Sequence, residues 1–177
     1  MTEFTNNFLN FHLHKSPINY FTLSDGLAAF HARCFENSNQ RLNKNSMLYF
    51  LKAQNTHLFY DQSSIAIIQA AQLEADLITL AVDPSMRNRG IGSNLLKFVL
   101  EYLKDLNLKK IFLEVEANNI AALNLYRKIG FMRCGVRKDY YALDQGDKAD
   151  AIVMSNDLAR KSGRFDKNKL QKLYSTG

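Results

Sequence analysis

LAVDPSMRNRGIGSNLL, residues 80–96, holds the end of an apolar strand, a polar turn, a basic glycine-rich loop and the start of a helix. Proline at 84 ends both the strand ladder and any helix before it. In Arg87-Asn88-Arg89-Gly90-Ile91-Gly92-Ser93, two glycines and two arginines gather where the next helix begins. A helix start offers unpaired backbone N–H groups and a partial positive charge, so it holds phosphate without any particular side chain. Glycine lets the backbone approach a ligand closely, and arginine adds charge-assisted contacts to phosphate oxygens. The stretch predicts a site for a pyrophosphate-bearing ligand.

Outward from this loop the chain reads as short strands and helices in alternation. Ala75–Val82 is a strand, Ile91–Leu106 a helix buried through Leu95, Leu96, Val99, Leu100 and Leu103, and Lys110–Glu116 a strand. Asn119–Ile129 is a helix stopped by Gly130, and Phe131–Val136 and Asp150–Asn156 are strands joined by a connection holding Tyr140 and Tyr141. Upstream, His57–Tyr60 and Ser64–Ala71 flank an Asp61-Gln62-Ser63 turn and read as a hairpin. Ile18–Leu23, rich in aromatic and β-branched residues, predicts a first strand; Ser24 then caps a helix running through Cys34. A polar loop from Asn37 to Asn45 leads to a short helix at Ser46–Ala53. The order predicts one mixed α/β domain over residues 1–158, with a central, mostly antiparallel sheet flanked by helices.

The remaining bulk properties set bounds. A chain of 177 residues with 46% hydrophobic content suits one domain with its own core. No stretch approaches the roughly 20 apolar residues of a membrane span, and the first residues lack a basic start followed by an apolar run, so no membrane association and a cytoplasmic location are expected. Cys34 and Cys134 have no metal-ligand spacing and are expected as buried thiols. The four histidines, 12, 14, 31 and 57, are scattered, and no metal is assigned. Lysine and arginine outnumber aspartate and glutamate 23 to 17, with Arg160, Lys161, Arg164, Lys167, Lys169 and Lys172 clustered in a tail over residues 159–177. Such a tail is either a solvated terminus or a weak attraction to RNA or the ribosome.

Three phosphate-loop patterns compete at residues 87–95. A nucleotide P-loop needs lysine then serine or threonine after its last glycine, and here Ser93-Asn94 follows Gly92. A dinucleotide fingerprint needs a third glycine, and Leu95 stands there, although Glu114 lies about twenty residues on. The pattern Arg-x-x-Gly-x-Gly after Val-Asp-Pro instead resembles the acetyl-CoA loop of the GCN5-related N-acetyltransferase (GNAT) superfamily. Leu113-Glu114-Val115-Glu116-Ala117-Asn118-Asn119, then Leu125-Tyr126-Arg127-Lys128-Ile129-Gly130-Phe131, are similar to that superfamily's second cofactor element. With Arg137-Lys138-Asp139-Tyr140-Tyr141, Gly146 and Asp150–Met154 they resemble the RimI-type ribosomal-protein alanine N-acetyltransferases. The resemblance covers roughly residues 78–154 and fades upstream. Where RimI relatives carry an aromatic-proline substrate loop, this chain has Cys34-Phe35-Glu36-Asn37-Ser38-Asn39.

The resemblance implies a sheet splayed at the cofactor site and acetyl-CoA as cosubstrate. Leu80, Ala81 and Val82 then meet the thioester, residues 87–93 the pyrophosphate and Asn119 the cofactor. It makes Glu114 the proton acceptor, with Glu116 on the same strand face as the fallback, and Tyr126 the proton donor. Asn119 and Tyr126 lie two helical turns apart, on nearly one face. A phenol near 10 can protonate a leaving thiolate whose thiol lies near 8.5. Tyr140 and Tyr141 would line the acceptor slot, where the implied partner is the N-terminal alanine of a small-subunit ribosomal protein. A lysine side chain, a small amine or polyamine, and a non-catalytic RNA-associated module on the same fold are the alternatives.

Overall fold

The computed structural model describes residues 20–35, 40–142 and 147–158. A six-stranded sheet comprises β1 (Thr56–Tyr60), β2 (Ser64–Ala71), β3 (Glu74–Val82), β4 (Lys110–Glu116), β5 (Met132–Ala142) and β6 (Lys148–Asp157). Its order is β1-β2-β3-β4-β6-β5. Every neighbouring pair is antiparallel except β3 and β4. The helices are α1 (Tyr20–Cys34), α2 (Lys44–Lys52), α3 (Ile91–Asp105) and α4 (Ile120–Lys128).

Apolar spacing decides which face each helix covers. The α3 stripe of Leu95, Leu96, Val99, Leu100 and Leu103 is buried against Phe59, Ile68, Leu77, Ile111 and Leu113, together with Leu123 and Tyr126 of α4. On the other face Leu27 and Cys34 of α1 and Met47 of α2 pack on Ile65, Ile67 and Ala81. That second cluster draws its strand residues from β1–β3, so the same face of β4 carries the half-exposed Phe112, Glu114 and Glu116.

The hairpin, β3, the two central helices and β4 lie where their periodicity places them. The N-terminal segment does not. Tyr20–Leu23, expected as strand, forms the first turn of α1, and Ser24 is a fully buried helical residue rather than a cap. Leu23, Ser24, Leu27, His31 and Cys34 recur at helical spacing on the side facing the sheet, and burying that stripe outweighs local β preference. The second helix starts at Lys44, capped by the Asn43 side chain on the Ser46 N–H. Cys34 is buried as expected, whereas Cys134 is an exposed free thiol. The N-terminal 19 residues, Gly146 and the basic tail lie outside the described residues.

Two of the three register shifts in the sheet bear on the site. In the β2–β3 register Ile67 faces Thr79 while Ile68 faces Leu77, so Ile78 is an extra residue on β3. This bulge falls where the parallel pairing of β3 with β4 stops, at Leu77 opposite Leu113. Beyond it the two strands separate. In β5, Arg137 faces Ala151 and Tyr141 faces Ala149, so β5 spends two more residues than β6 there. Asp139 takes a left-handed φ of 54° in that bulge. Asp150 pins it, accepting from the Lys138 ammonium at 2.6 Å and the Asp139 N–H at 3.1 Å.

Gly130 follows α4 with φ +98°, and a Cβ there would stand 3.2 Å from Asn156 Nδ2. Gly130→Ala is expected to lower stability by about 1–2 kcal/mol, seen as a fall of several degrees in thermal midpoint. An unchanged midpoint would mean that the turn does not need its left-handed residue.

Candidate active site

The separation of β3 from β4 opens a cleft of about 860 Å³. Its walls include Asp76 and Ile78–Leu80 of β3, Phe112–Val115 of β4, Asn119, Ala122 and Tyr126 at α4, and Arg137 and Tyr140–Ala142 of β5. Phe35, Gln40, Arg41 and Leu42, from the connection between α1 and α2, close another side. Six residues singled out by sequence, Leu80, Glu114, Asn119, Tyr126, Tyr140 and Tyr141, therefore share one cavity.

Glu114 does not stand among apolar neighbours. Its Oε1 lies 2.9 Å from Arg137 Nε across the sheet. Tyr140 hydrogen-bonds to the same carboxylate, and this bond, with burial and the Glu114 charge, raises the Tyr140 phenol above its usual range. The Arg137 guanidinium also lies 5.3 Å over the Tyr140 ring. Tyr140 and Tyr141 are strand residues at the β5 bulge, not members of a connection, and their rings meet edge to face at 5.0 Å. Burial, followed by the nearby Glu114, drives Tyr141 far above an ordinary phenol. Asp76 faces Glu114; burial first, then the charges of Glu114 and Glu74, raises its carboxyl. The acidic Asp76, the Arg137 partner and the role of Gln40, which donates to Glu116 at 3.2 Å, are not legible in the sequence. Arg137 alone has a signal, standing three residues before the tyrosine pair.

Tyr126 enters from α4 on the other side of the opening. It is 8% exposed, packs against Phe131 at 5.8 Å, and burial pushes its phenol up to about 12. At neutral pH it is a permanent O–H donor. Full transfer of its proton to a thiolate of ordinary basicity would run uphill by about 3.5 units, or ~5 kcal/mol, so such a phenol is suited to donating a hydrogen bond rather than giving up its proton. Asn119 caps α4, its carbonyl accepting from the Ala122 N–H at 3.1 Å. That leaves its amide N–H₂ as the part available to a ligand in the cleft.

The end of β3 supplies backbone donors. The Asp83 N–H bonds Ser63 O at 2.8 Å, so alternation along an antiparallel pair sends the Ala81 N–H toward β2 and the Leu80 and Val82 N–H groups away from it. Leu80 thus points its donor into the gap left by β4. The N–H of Ala81, expected to meet the thioester with its neighbours, points to β2 instead.

Past β3 the loop divides its labour. Arg87 is committed to backbone, donating to Cys34 O at 2.6 Å and Val82 O at 3.2 Å. It ties the end of α1 to the end of β3, which takes it away from the phosphate role expected for it. Arg89 is exposed and makes no hydrogen bond or ion pair among the described residues. Asn88 and Gly90 take left-handed φ values of 61° and 79°. Gly90 caps α3 without a side chain, and the ladder starts with Asn94 N–H on Gly90 O, leaving Ile91, Gly92 and Ser93 with free N–H groups at a positive helix end. A Cβ on Gly92 would stand 3.3 Å from Val82 Cγ2 and 3.5 Å from Leu125 Cδ2, so this glycine lets α3 close onto β3 and α4.

A sheet parted beside a glycine-capped helix, with a carboxylate and a phenol lining the same cleft, defines a class. The chain belongs to the acetyltransferase (GNAT) family, whose model matches residues 24–131. It is 39% identical over 93 residues to the ribosomal protein bS18-alanine N-acetyltransferase of Salmonella typhimurium, covering 52% of this chain and 62% of that protein. It is 40% identical over 84 residues to the N-alpha-acetyltransferase RimI of Mycobacterium tuberculosis, covering 48% and 49%. The chain spans less than two thirds of the length of these relatives. The crystal structure of the Escherichia coli ribosomal-protein-S18-alanine N-acetyltransferase matches 78% of this chain and 92% of that one, with a TM-score of 0.65 at 27% identity. Among the described residues no helix is long and apolar enough to cross a membrane.

Proposed function

We propose that this protein is an acetyl-CoA-dependent N-acetyltransferase that transfers acetyl directly to the α-amine of a protein N-terminus. A small-subunit ribosomal protein beginning with alanine is the acceptor suggested by the relatives. The observation that carries the reading is the placement of Glu114 and Tyr126 in one cleft beside the gap between β3 and β4, with the Leu80 N–H at its edge. The free N–H groups of Ile91, Gly92 and Ser93, with Arg89 beside them, suit a pyrophosphate. The domain expected over residues 1–158 would carry the reaction; the basic tail after it would add at most a weak attraction to RNA.

In this reading Glu114 accepts the ammonium proton, directly or through a water, and Leu80 holds the carbonyl oxygen. Tyr126 donates its O–H to the departing sulfur. An α-amine, with a pKa of ~7.7–8.0, loses its proton readily at neutral pH, whereas a lysine near 10.4 asks about three units more, or ~4 kcal/mol. Glu114, held by Arg137, is therefore matched to the easier substrate. Phe35, Phe112, Tyr140 and Tyr141 make an aromatic slot fit for an extended peptide. Asp76 beside Glu114 favours one other acceptor, a small polycation.

The test is acetyl transfer from acetyl-CoA to peptides differing at the N-terminus, one beginning Ala-Arg, with spermidine alongside. Preferential turnover of the Ala-Arg peptide is expected. Preference for spermidine would move the protein to the polyamine class. No release of coenzyme A with any acceptor, together with RNA binding that falls steeply with salt, would identify a non-catalytic module. Tyr126→Phe is expected to lower kcat about tenfold across the neutral and mildly alkaline range without displacing the pH profile, because a phenol at about 12 does not titrate there. A lost alkaline limb in the variant would contradict that assignment.

A further inference from the structure

His31 lies outside every motif of the acetyl-transfer reading, yet it is fully buried and uses both ring nitrogens. Its Nδ1 accepts the Leu42 N–H at 3.2 Å. Its Nε2 stands 2.8 Å from Thr79 Oγ1, and its ring stacks on Phe35 at 4.3 Å. Thr79, Leu42 and Phe35 all line the cleft. A backbone N–H can only donate, so Nδ1 carries the lone pair. Burial lowers the ring to about 4, so it is neutral under ordinary conditions and its one proton sits on Nε2. His31 therefore donates to Thr79.

That assignment fixes a polarity. The Thr79 oxygen spends a lone pair on the ring, and its own hydrogen must point elsewhere. Among the described residues no acceptor is found for it, and Thr79 faces the cleft. Bulging at Ile78 turns Thr79 to the sheet face shared by Asp76 and Glu114, the acceptor side, rather than the α4 side where Tyr126 lies. A hydroxyl presenting hydrogen there selects an oxygen acceptor. An ammonium, which only donates, gains little from it.

We propose that Thr79 is a substrate-binding residue, donating its hydroxyl hydrogen to a backbone carbonyl oxygen of a peptide acceptor, and that His31 is the positioning residue that imposes this polarity. The proposal rests on the acetyl-transfer reading of the cleft and sharpens it: the acceptor carries a peptide carbonyl near its amine. His31 also holds Leu42 and Phe35 against β3, so the wall and the hydroxyl are set by one side chain.

Thr79→Val keeps the shape and removes the donor. With the Ala-Arg peptide it is expected to raise the acceptor KM about five- to tenfold, leaving kcat and the acetyl-CoA KM within about twofold. With butylamine, which has no carbonyl, kcat/KM should match the wild type; Thr79→Ser should restore the peptide KM. His31→Phe preserves the ring stack and should give the same KM rise, and the double variant should be no worse than either single one. Thermal melting accompanies each variant, and Thr79→Val alone carries the test if His31→Phe does not fold. An unchanged peptide KM in Thr79→Val, or an equal loss with butylamine, overturns the donor role. Additive losses in a folded double variant overturn the link to His31. A wild-type protein that acetylates nothing overturns the reading of the cleft and this inference with it, whereas an active wild type with an indifferent Thr79 overturns this inference alone.

Discussion

Glu114→Gln is expected to lower kcat for a peptide acceptor by about 10²-fold or more, while the acetyl-CoA affinity stays within about twofold. Glutamine keeps the size of the side chain and an oxygen for the Tyr140 hydroxyl, but it cannot take a proton. The ion pair it breaks is part exposed, with Arg137 58% and Glu114 25% accessible, so its loss costs at most about 1 kcal/mol of stability and leaves the fold intact. The loss should fall on turnover and be greatest on the acid side of its pH profile, where the amine still carries the proton that Glu114 would receive. Steady-state kinetics against pH, with calorimetry for acetyl-CoA, separates these effects. Wild-type turnover would remove Glu114 from the mechanism. Attention would pass to Glu116 on the same strand face, whose Oε2 is held 3.2 Å from Gln40 Nε2.

Gly92→Glu is expected to weaken acetyl-CoA binding by about 10²-fold or more and to destabilise the fold by about 2 kcal/mol. From sequence alone the glycine guards space for pyrophosphate. The structure shows a second reason: the missing Cβ points at Val82 and Leu125, 3.3 and 3.5 Å away, where α3 meets β3 and α4. A glutamate must push these apart and places a negative charge in the first turn of α3, beside the N–H groups proposed for the ligand. Gly92→Ala separates the two causes. It needs a shift of only a few tenths of an ångström and adds no charge, so it should lower the thermal midpoint modestly and keep binding within a few-fold. Normal calorimetric binding by Gly92→Glu would move the pyrophosphate away from this loop.

Elements with a local signature are legible from the residues alone. Strand alternation in β4, the α3 stripe and the helix-ending glycine at 130 depend on residues within one or two turns of each other. So does the loop between β3 and α3. Local chemistry misleads at the N-terminus, where Tyr20–Leu23 reads as strand although burial of the α1 stripe makes it helix. Arg87 is misleading for a related reason: its charge is visible, but the Cys34 carbonyl that claims it lies 53 residues away.

The sequence by itself therefore determined the order of elements from the hairpin onward and the family resemblance, and it singled out Glu114, Asn119 and Tyr126 as candidates. Periodicity, turn chemistry and motif spacing are short-range properties of the chain. Only the tertiary structure decided that Ile78 bulges where β3 leaves β4, that Arg137 and Tyr140 hold Glu114, and that His31 turns the Thr79 hydroxyl toward the cleft. Each depends on register between strands or on a hydrogen bond between residues far apart in sequence. A hydroxyl or imidazole acquires its direction only when the fold supplies the partner that takes its other side.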